Sequence, residues 1–134
     1  MPVPDSLEWE FTLRTAAARY DELRFRDALA PPALSKEEAL ELLALGEVIT
    51  RKASYGRQLA IRTARASGAT WSQIGAALGT SKQAAWETHA RWIEDQAEQH
   101  RRSGYEGLDE HDAAAARALA GPLDDGRLDE DATP

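Results

Sequence analysis

Residues 70–91, Thr-Trp-Ser-Gln-Ile-Gly-Ala-Ala-Leu-Gly-Thr-Ser-Lys-Gln-Ala-Ala-Trp-Glu-Thr-His-Ala-Arg, decide the fold, because they contain two short helical patterns and the signals that separate them. Thr70, followed three residues later by Gln73, has the pattern of a capping box, which predicts that a helix starts here. Ile74 and Leu78 are four residues apart, so they share one helix face and are expected to point inward.

The end of this first helix is predicted at Gly79, because glycine adopts the left-handed conformation at little steric cost. Thr80 or Ser81 can then cap a second helix. Gly75 is expected where the two helices cross, since its missing side chain lets their backbones approach closely. Two helices joined by a short turn containing glycine form a helix-turn-helix, which offers its second helix to the DNA major groove.

Helical spacing assigns the faces of the second helix. Ala84, Ala85 and Thr88 are expected against the first helix, with Trp92 also inward, and the outward positions are Ser81, Lys82, Gln83, Trp86, Glu87 and Ala90. Gln83 is suited to adenine, and Lys82 to guanine or a phosphate. Thr80 and Ser81 can donate to a phosphate near the helix start. Further phosphate contacts are predicted for Arg62, Arg65 and Arg91.

The tryptophans of this region are interpreted differently. Trp71 and Trp92 are expected in the core. For Trp86 the sequence leaves three alternatives open, namely a DNA contact, a contact with a protein partner, and packing against the long preceding helix.

The charge distribution supports nucleic-acid binding although the chain carries a net charge of −7. Residues 1–50 have five basic and ten acidic side chains, and residues 103–134 have two basic and nine acidic ones. Residues 51–102 have nine basic and four acidic side chains, and no acidic residue lies between Arg51 and Glu87. A local basic patch determines affinity for phosphates more than the overall charge does.

Composition limits the class of protein. The chain has 134 residues, of which 43% are hydrophobic and 29% charged, and it has no cysteine. These values indicate a globular protein without disulfides or a thiolate metal site. No signal peptide and no membrane helix is recognised, so a cytoplasmic protein without a membrane partner is expected. Enzyme motifs are also missing, and we expect no catalytic activity, no cofactor and no metal; the histidines (His89, His100, His111) are expected at surface or half-buried positions.

The rest of the chain predicts an all-α fold, with a trihelical helix-turn-helix core, long N-terminal helices and a disordered acidic C-terminal tail. Asp5 and Glu8 form a capping-box pattern for a helix reaching Leu29, although alternation over residues 7–13 leaves a short strand open. Ser35 and Glu38 start a second long helix through residue 66, in which Gly46 and Gly56 leave a kink or a break open. The helix after the turn is expected to reach residue 102, followed by a weak helix over 113–120 and a disordered tail from residue 121.

Three regions follow from this pattern: an N-terminal helical region over 1–56, a DNA-binding domain over 57–102, and a partly disordered acidic extension over 103–134. The N-terminal helices carry more apolar surface than one small core can cover. We therefore predict a homodimer through residues 7–60, which would present two recognition helices about one turn of DNA apart.

The stretch from Trp71 to Ala85 resembles the helix-turn-helix of sigma-factor region-4-like domains. With the arginine-rich helix before it, over about residues 57–93, it resembles more closely the small helix-turn-helix regulators of high-GC bacteria; Trp86 and Glu87 depart from the smaller polar or basic residues usual there. The resemblance implies a trihelical core and a transcriptional regulator that binds double-stranded DNA. An accessory factor that binds a regulator or a polymerase subunit through the same scaffold is the alternative.

Overall fold

The computed structural model describes residues 1–123, which form six α-helices and no β-strand. The helices are α1 (Pro4–Glu10), α2 (Leu13–Leu29), α3 (Lys36–Ala66), α4 (Trp71–Leu78), α5 (Lys82–Ser103) and α6 (Glu110–Ala120). The predicted all-α class is therefore confirmed for this part of the chain. A disordered acidic tail is predicted from residue 121 onwards. Residues 124–134 of this segment lie outside the described range.

The first helical region differs from its prediction, because it consists of two helices and not one. Phe11 is extended, with φ −113° and ψ 141°, and it separates α1 from α2. Thr12 and Thr15 then cap α2 reciprocally, with each side chain bonded to the other residue's backbone N–H. The expected cap at Asp5 is wrong, since α1 begins at Pro4 after Val3, which makes no side-chain capping bond.

The long helix α3 follows its prediction closely. Glu38 N–H donates to Ser35 Oγ at 3.1 Å, and Ser35 N–H donates to the Glu38 carboxylate at 3.1 Å, which forms the predicted capping box. The helix then continues for 31 residues, about 46 Å, without a break at Gly46 or Gly56. Each glycine costs a helix about 1 kcal/mol, which the surrounding residues of a long helix outweigh.

The chain divides into two compact units, of which the first comprises Met1–Arg57. Its core is aliphatic and is formed by α1, α2 and α3 through Leu7, Ala16, Leu23, Ala44, Leu45 and Val48. Ion pairs surround this core. Arg19 binds Glu41 in a two-pronged contact at 3.1 and 2.9 Å, and Arg26 binds Glu38 at 2.8 Å. Since these pairs remain partly exposed to solvent, they contribute less to stability than the apolar core does.

The second unit begins at Gln58 and contains the end of α3 together with α4, α5 and α6. Its core consists of Ile61, Trp71, Ile74, Ala85, Ile93, Ala116 and Ala120. Helix α6 begins three residues before the expected position, where Asp109 accepts from Asp112 N–H at 2.8 Å. Ala116 and Ala120 of α6 belong to the core, although α6 lies in the region that was expected to be an acidic extension.

Across residues 1–123, no helix combines the length and the apolar character that crossing a lipid bilayer requires.

Candidate nucleic-acid interface

The turn between α4 and α5 consists of three residues, Gly79, Thr80 and Ser81. Gly79 is left-handed with φ 73° and ψ 29°, as predicted, and Thr80 N–H donates to Gly75 O at 2.8 Å. Ser81 caps α5 by accepting from Ala84 N–H at 3.1 Å. These bonds satisfy backbone groups at both ends of the turn and fix the direction in which α5 leaves it.

The start of α4 is also capped as predicted. Thr70 accepts from Gln73 N–H at 3.1 Å, and the Gln73 side chain accepts from Thr70 N–H at 3.0 Å. Ile74 is buried, but the prediction that Leu78 points inward is wrong, because 39% of its surface is exposed. Leu78 lies in the last turn of α4 directly before the left-handed Gly79, where the chain turns away from the core.

The outward face of α5 carries most of the residues predicted to contact DNA. The turn exposes Thr80 and Ser81, and α5 exposes Lys82, Gln83, Glu87 and Arg91. Thr88 is exposed as well, contrary to its expected inward position, and Ala90 is half-buried. On this helix the buried positions are Ala85, His89, Ile93 and Ala97, which recur every four residues. Gln83 Nε2 donates to Glu87 Oε1 at 3.0 Å across one turn of the exposed face.

The arginines of α3 have different surroundings. Arg62 is half-buried. Arg65 has only 2% of its surface exposed, and its guanidinium donates to Leu119 O at 3.2 Å and to Ala69 O at 3.0 Å. It also lies over the Trp71 ring, 5.2 Å from the centroid. The expectation that Arg65 contacts a phosphate is therefore wrong, because its charged group binds backbone carbonyls inside the unit.

Ion pairing separates two groups of cations in the second unit. Arg117 binds Glu94 at 2.6 Å and thereby lowers the pKa of that carboxyl, and Arg101 and Arg102 both bind Glu98. By contrast, three other cations of this unit form no ion pair within residues 1–123: Arg62, Lys82 and Arg91. Cations without a carboxylate partner are the ones best able to neutralise phosphates.

Trp86 is less exposed than most of the other residues predicted to contact DNA. It is half-buried, it packs against the core of the second unit, and its indole Nε1 donates to Gly121 O at 2.8 Å. Trp71 Nε1 similarly donates to Ala120 O at 2.9 Å. Together with the bond from Arg65 to Leu119 O, these contacts satisfy three consecutive carbonyls at the end of α6. Of the three alternatives for Trp86, the structure contains the packing contact. The indole packs against the core of the second unit, to which α6 contributes, and not only against the long preceding helix.

Comparisons with protein-family models, with curated proteins and with solved structures find no match for this chain.

His89 is the residue of this region that sequence reasoning placed least accurately. It is only 1% exposed, and its Nδ1 lies 2.8 Å from Gln58 Oε1. Its ring stacks on Trp92 and lies tilted against Trp71, with centroids 5.6 and 5.8 Å apart. Burial disfavours the imidazolium, and the nearby Arg62 and Arg65 add repulsion, so the pKa of His89 is lowered to about 4. A neutral histidine in this position supports α5 from inside the unit.

Proposed function

We propose that this protein is a cytoplasmic transcriptional regulator that binds double-stranded DNA. In this proposal α4 and α5 are the helices of a helix-turn-helix, the end of α3 completes the trihelical core, and α5 enters the major groove. One observation carries the proposal. The three-residue turn at Gly79 leaves the start of α5 exposed, and two exposed cations of α5, Lys82 and Arg91, have no carboxylate partner within residues 1–123.

Six residues have chemically suitable roles in this proposal. Lys82 and Gln83 contact base edges, since lysine donates to guanine or phosphate and glutamine pairs with adenine. Thr80 and Ser81 donate to a phosphate beside the start of α5, where the helix dipole favours an anion. Arg91 and Arg62 bind phosphates on either side.

The resemblance of residues 57–93 to small helix-turn-helix regulators of high-GC bacteria supports the same proposal. The capping box at Thr70, the close approach at Gly75 and the left-handed Gly79 are the features that such a motif requires. Thr70 to Ser81 therefore have residue types and backbone geometry consistent with that class.

The experiment is DNA binding by the full chain at two salt concentrations, using a pool of genomic fragments. We expect affinity to fall with salt, with a log–log slope of about 0.9 for each phosphate contact. The double variant Lys82→Ala/Gln83→Ala should lose about 1–3 kcal/mol of discrimination between selected and random sequences.

Arg24→Ala is the matched control, because Arg24 is an exposed cation of the first unit. It should leave affinity and site preference unchanged. The proposal is rejected if the wild-type chain retains no fragment at low salt, and α5 is not the reading helix if the double variant keeps the wild-type site preference.

We also propose a homodimer through residues 7–60, most of which belong to the first unit. Large apolar side chains that the unit leaves in solvent support this: Trp9 is 93% exposed, Phe25 65% and Leu43 71%. Burial of such side chains is the main favourable contribution to association. Light scattering at micromolar concentration should give twice the mass of the chain, and a monomer mass would reject the dimer.

The same exposed apolar residues favour the alternative function, a protein-interaction accessory factor. Such a factor would use the first unit to bind a regulator or a polymerase subunit. A pull-down that retains one stoichiometric protein partner, combined with no DNA retention at low salt, would select this alternative. Trp9→Ser should then abolish retention of that partner, because it removes the most exposed tryptophan without touching a core residue.

A further inference from the structure

The hydrogen bond between Gln83 and Glu87 has a consequence for which bases α5 can read, if α5 is the reading helix as proposed above. Gln83 Nε2 donates to Glu87 Oε1 at 3.0 Å, and both side chains are exposed on successive turns. A carboxylate only accepts hydrogen bonds, so it turns the NH₂ side of the Gln83 amide towards itself. The amide oxygen of Gln83 and the other carboxylate oxygen of Glu87 remain available to a ligand.

This pair therefore presents mainly acceptors. The Gln83 amide keeps one N–H for a second contact, and Glu87 keeps none. Glu87 also forms no ion pair within residues 1–123, so no cation of that part of the chain neutralises its charge. A ligand that satisfies both side chains must offer N–H groups at two neighbouring positions.

Only two bases offer such groups in the major groove. Cytosine presents its N4 amino group and adenine its N6 amino group, whereas guanine and thymine present the acceptors O6, N7 and O4 there. Adenine also has N7, which accepts from the remaining N–H of Gln83. Residues four apart on a helix are separated by about 6 Å along its axis, close to two base steps of about 3.4 Å each.

We propose that Gln83 and Glu87 together recognise bases that carry amino groups. In this proposal cytosine lies opposite Glu87, and adenine or cytosine lies opposite Gln83, one or two base steps away. The negative charge of Glu87 is unfavourable beside phosphates, so it lowers affinity for random DNA. Donation by the cytosine amino group compensates this loss only at the correct site. Glu87 thus contributes to specificity more than to affinity.

The test compares three full-length proteins on a randomised duplex pool: wild type, Glu87→Gln and Asp95→Asn. Glutamine has the shape of glutamate but no charge, and it can donate as well as accept. Asp95 is an exposed acid two turns further along α5, so its variant is a control for loss of one negative charge.

For the wild type we expect cytosine at one position of the selected site, with a preference of about 5- to 100-fold over other bases. Glu87→Gln should reduce that preference to under about 3-fold while it binds random duplex about 2- to 5-fold more tightly. Asp95→Asn should keep the cytosine preference. Replacing that cytosine by thymine in the selected site should weaken the wild type strongly and Glu87→Gln only slightly.

Two outcomes overturn the inference and are distinguishable from each other. If Glu87→Gln keeps the wild-type base preference, the pair is only a solvated contact along the helix, and the proposed DNA-binding function stands without it. If the wild type selects guanine or thymine opposite Glu87, then Glu87 does not accept a hydrogen bond from a base amino group. Failure of the wild type to bind any duplex overturns the DNA-binding proposal itself.

Discussion

Gly75 lies directly against the backbone of Lys82, so that a Cβ added to Gly75 would be 2.9 Å from the Lys82 nitrogen. The same Cβ would be 2.9 Å from the carbonyl oxygen of Thr80. Both are backbone atoms, which cannot move aside as the end of a flexible side chain does. The position of α5 relative to α4 therefore depends on one missing methyl group.

Gly75→Ala should consequently destabilise the protein by about 1–3 kcal/mol, because the added methyl forces α4 and α5 apart. Gly56→Ala is the matched control, since Gly56 is helical, exposed and has no atom near its Cβ position. It should be neutral or stabilise by up to about 1 kcal/mol. Denaturant unfolding measures both changes, and equal stability of the two variants would contradict the close approach.

Trp86→Phe should destabilise the second unit by about 1 kcal/mol, because it removes the bond to Gly121 O while keeping an aromatic ring in place. DNA affinity should stay within about 2-fold of the wild type. Tyr105→Phe is the control and should change neither quantity, because Tyr105 is 80% exposed. A loss of DNA affinity without a loss of stability in Trp86→Phe would restore the indole as a DNA contact.

Replacement by methionine should affect DNA binding at Arg62 and protein stability at Arg65. Arg65→Met leaves the carbonyls of Leu119 and Ala69 without their donor, and we expect a loss of about 2–4 kcal/mol in the free energy of unfolding. Arg62→Met should leave stability nearly unchanged and reduce the salt slope of DNA binding by about 0.9. Thermal unfolding and a salt titration of DNA binding, made on both variants, separate the two roles. If Arg62→Met lost stability and Arg65→Met lost salt dependence, the roles of the two arginines would be assigned wrongly.

Stability should fall in acid because of His89. Its pKa is about 4 in the folded chain, against about 6.5 when unfolded, so the unfolded state binds the proton more readily. The stabilising effect of the neutral ring is complete above about pH 6.5 and is lost as the pH falls towards 4, up to about 3 kcal/mol in total. His89→Gln should be less stable at pH 7 but should lack this part of the pH dependence. A parallel pH profile for both proteins would contradict the assignment to His89.

Local signals along the chain were sufficient for much of the fold. The capping pairs Thr70–Gln73 and Ser35–Glu38, and the left-handed Gly79, depend on residues close in sequence, and all three occur as predicted. The exposed face from Lys82 to Arg91 was also largely predictable from helical spacing. The early break at Phe11 was missed because Thr12 and Thr15 form a cap without the usual acidic or amide residue.

Sequence by itself determined the all-α class, the bounds of α3, α4 and α5, and most of the face that α5 exposes, because helix periodicity and capping act over at most a few residues. Tertiary structure alone decided the burial and the hydrogen-bond partners of Arg65, Trp86 and His89. Each has a polar group that bonds to a residue 31 or more positions away in the sequence, namely Leu119, Gly121 and Gln58 respectively. Such hydrogen bonds depend on how the helices pack together, which no short-range sequence pattern indicates.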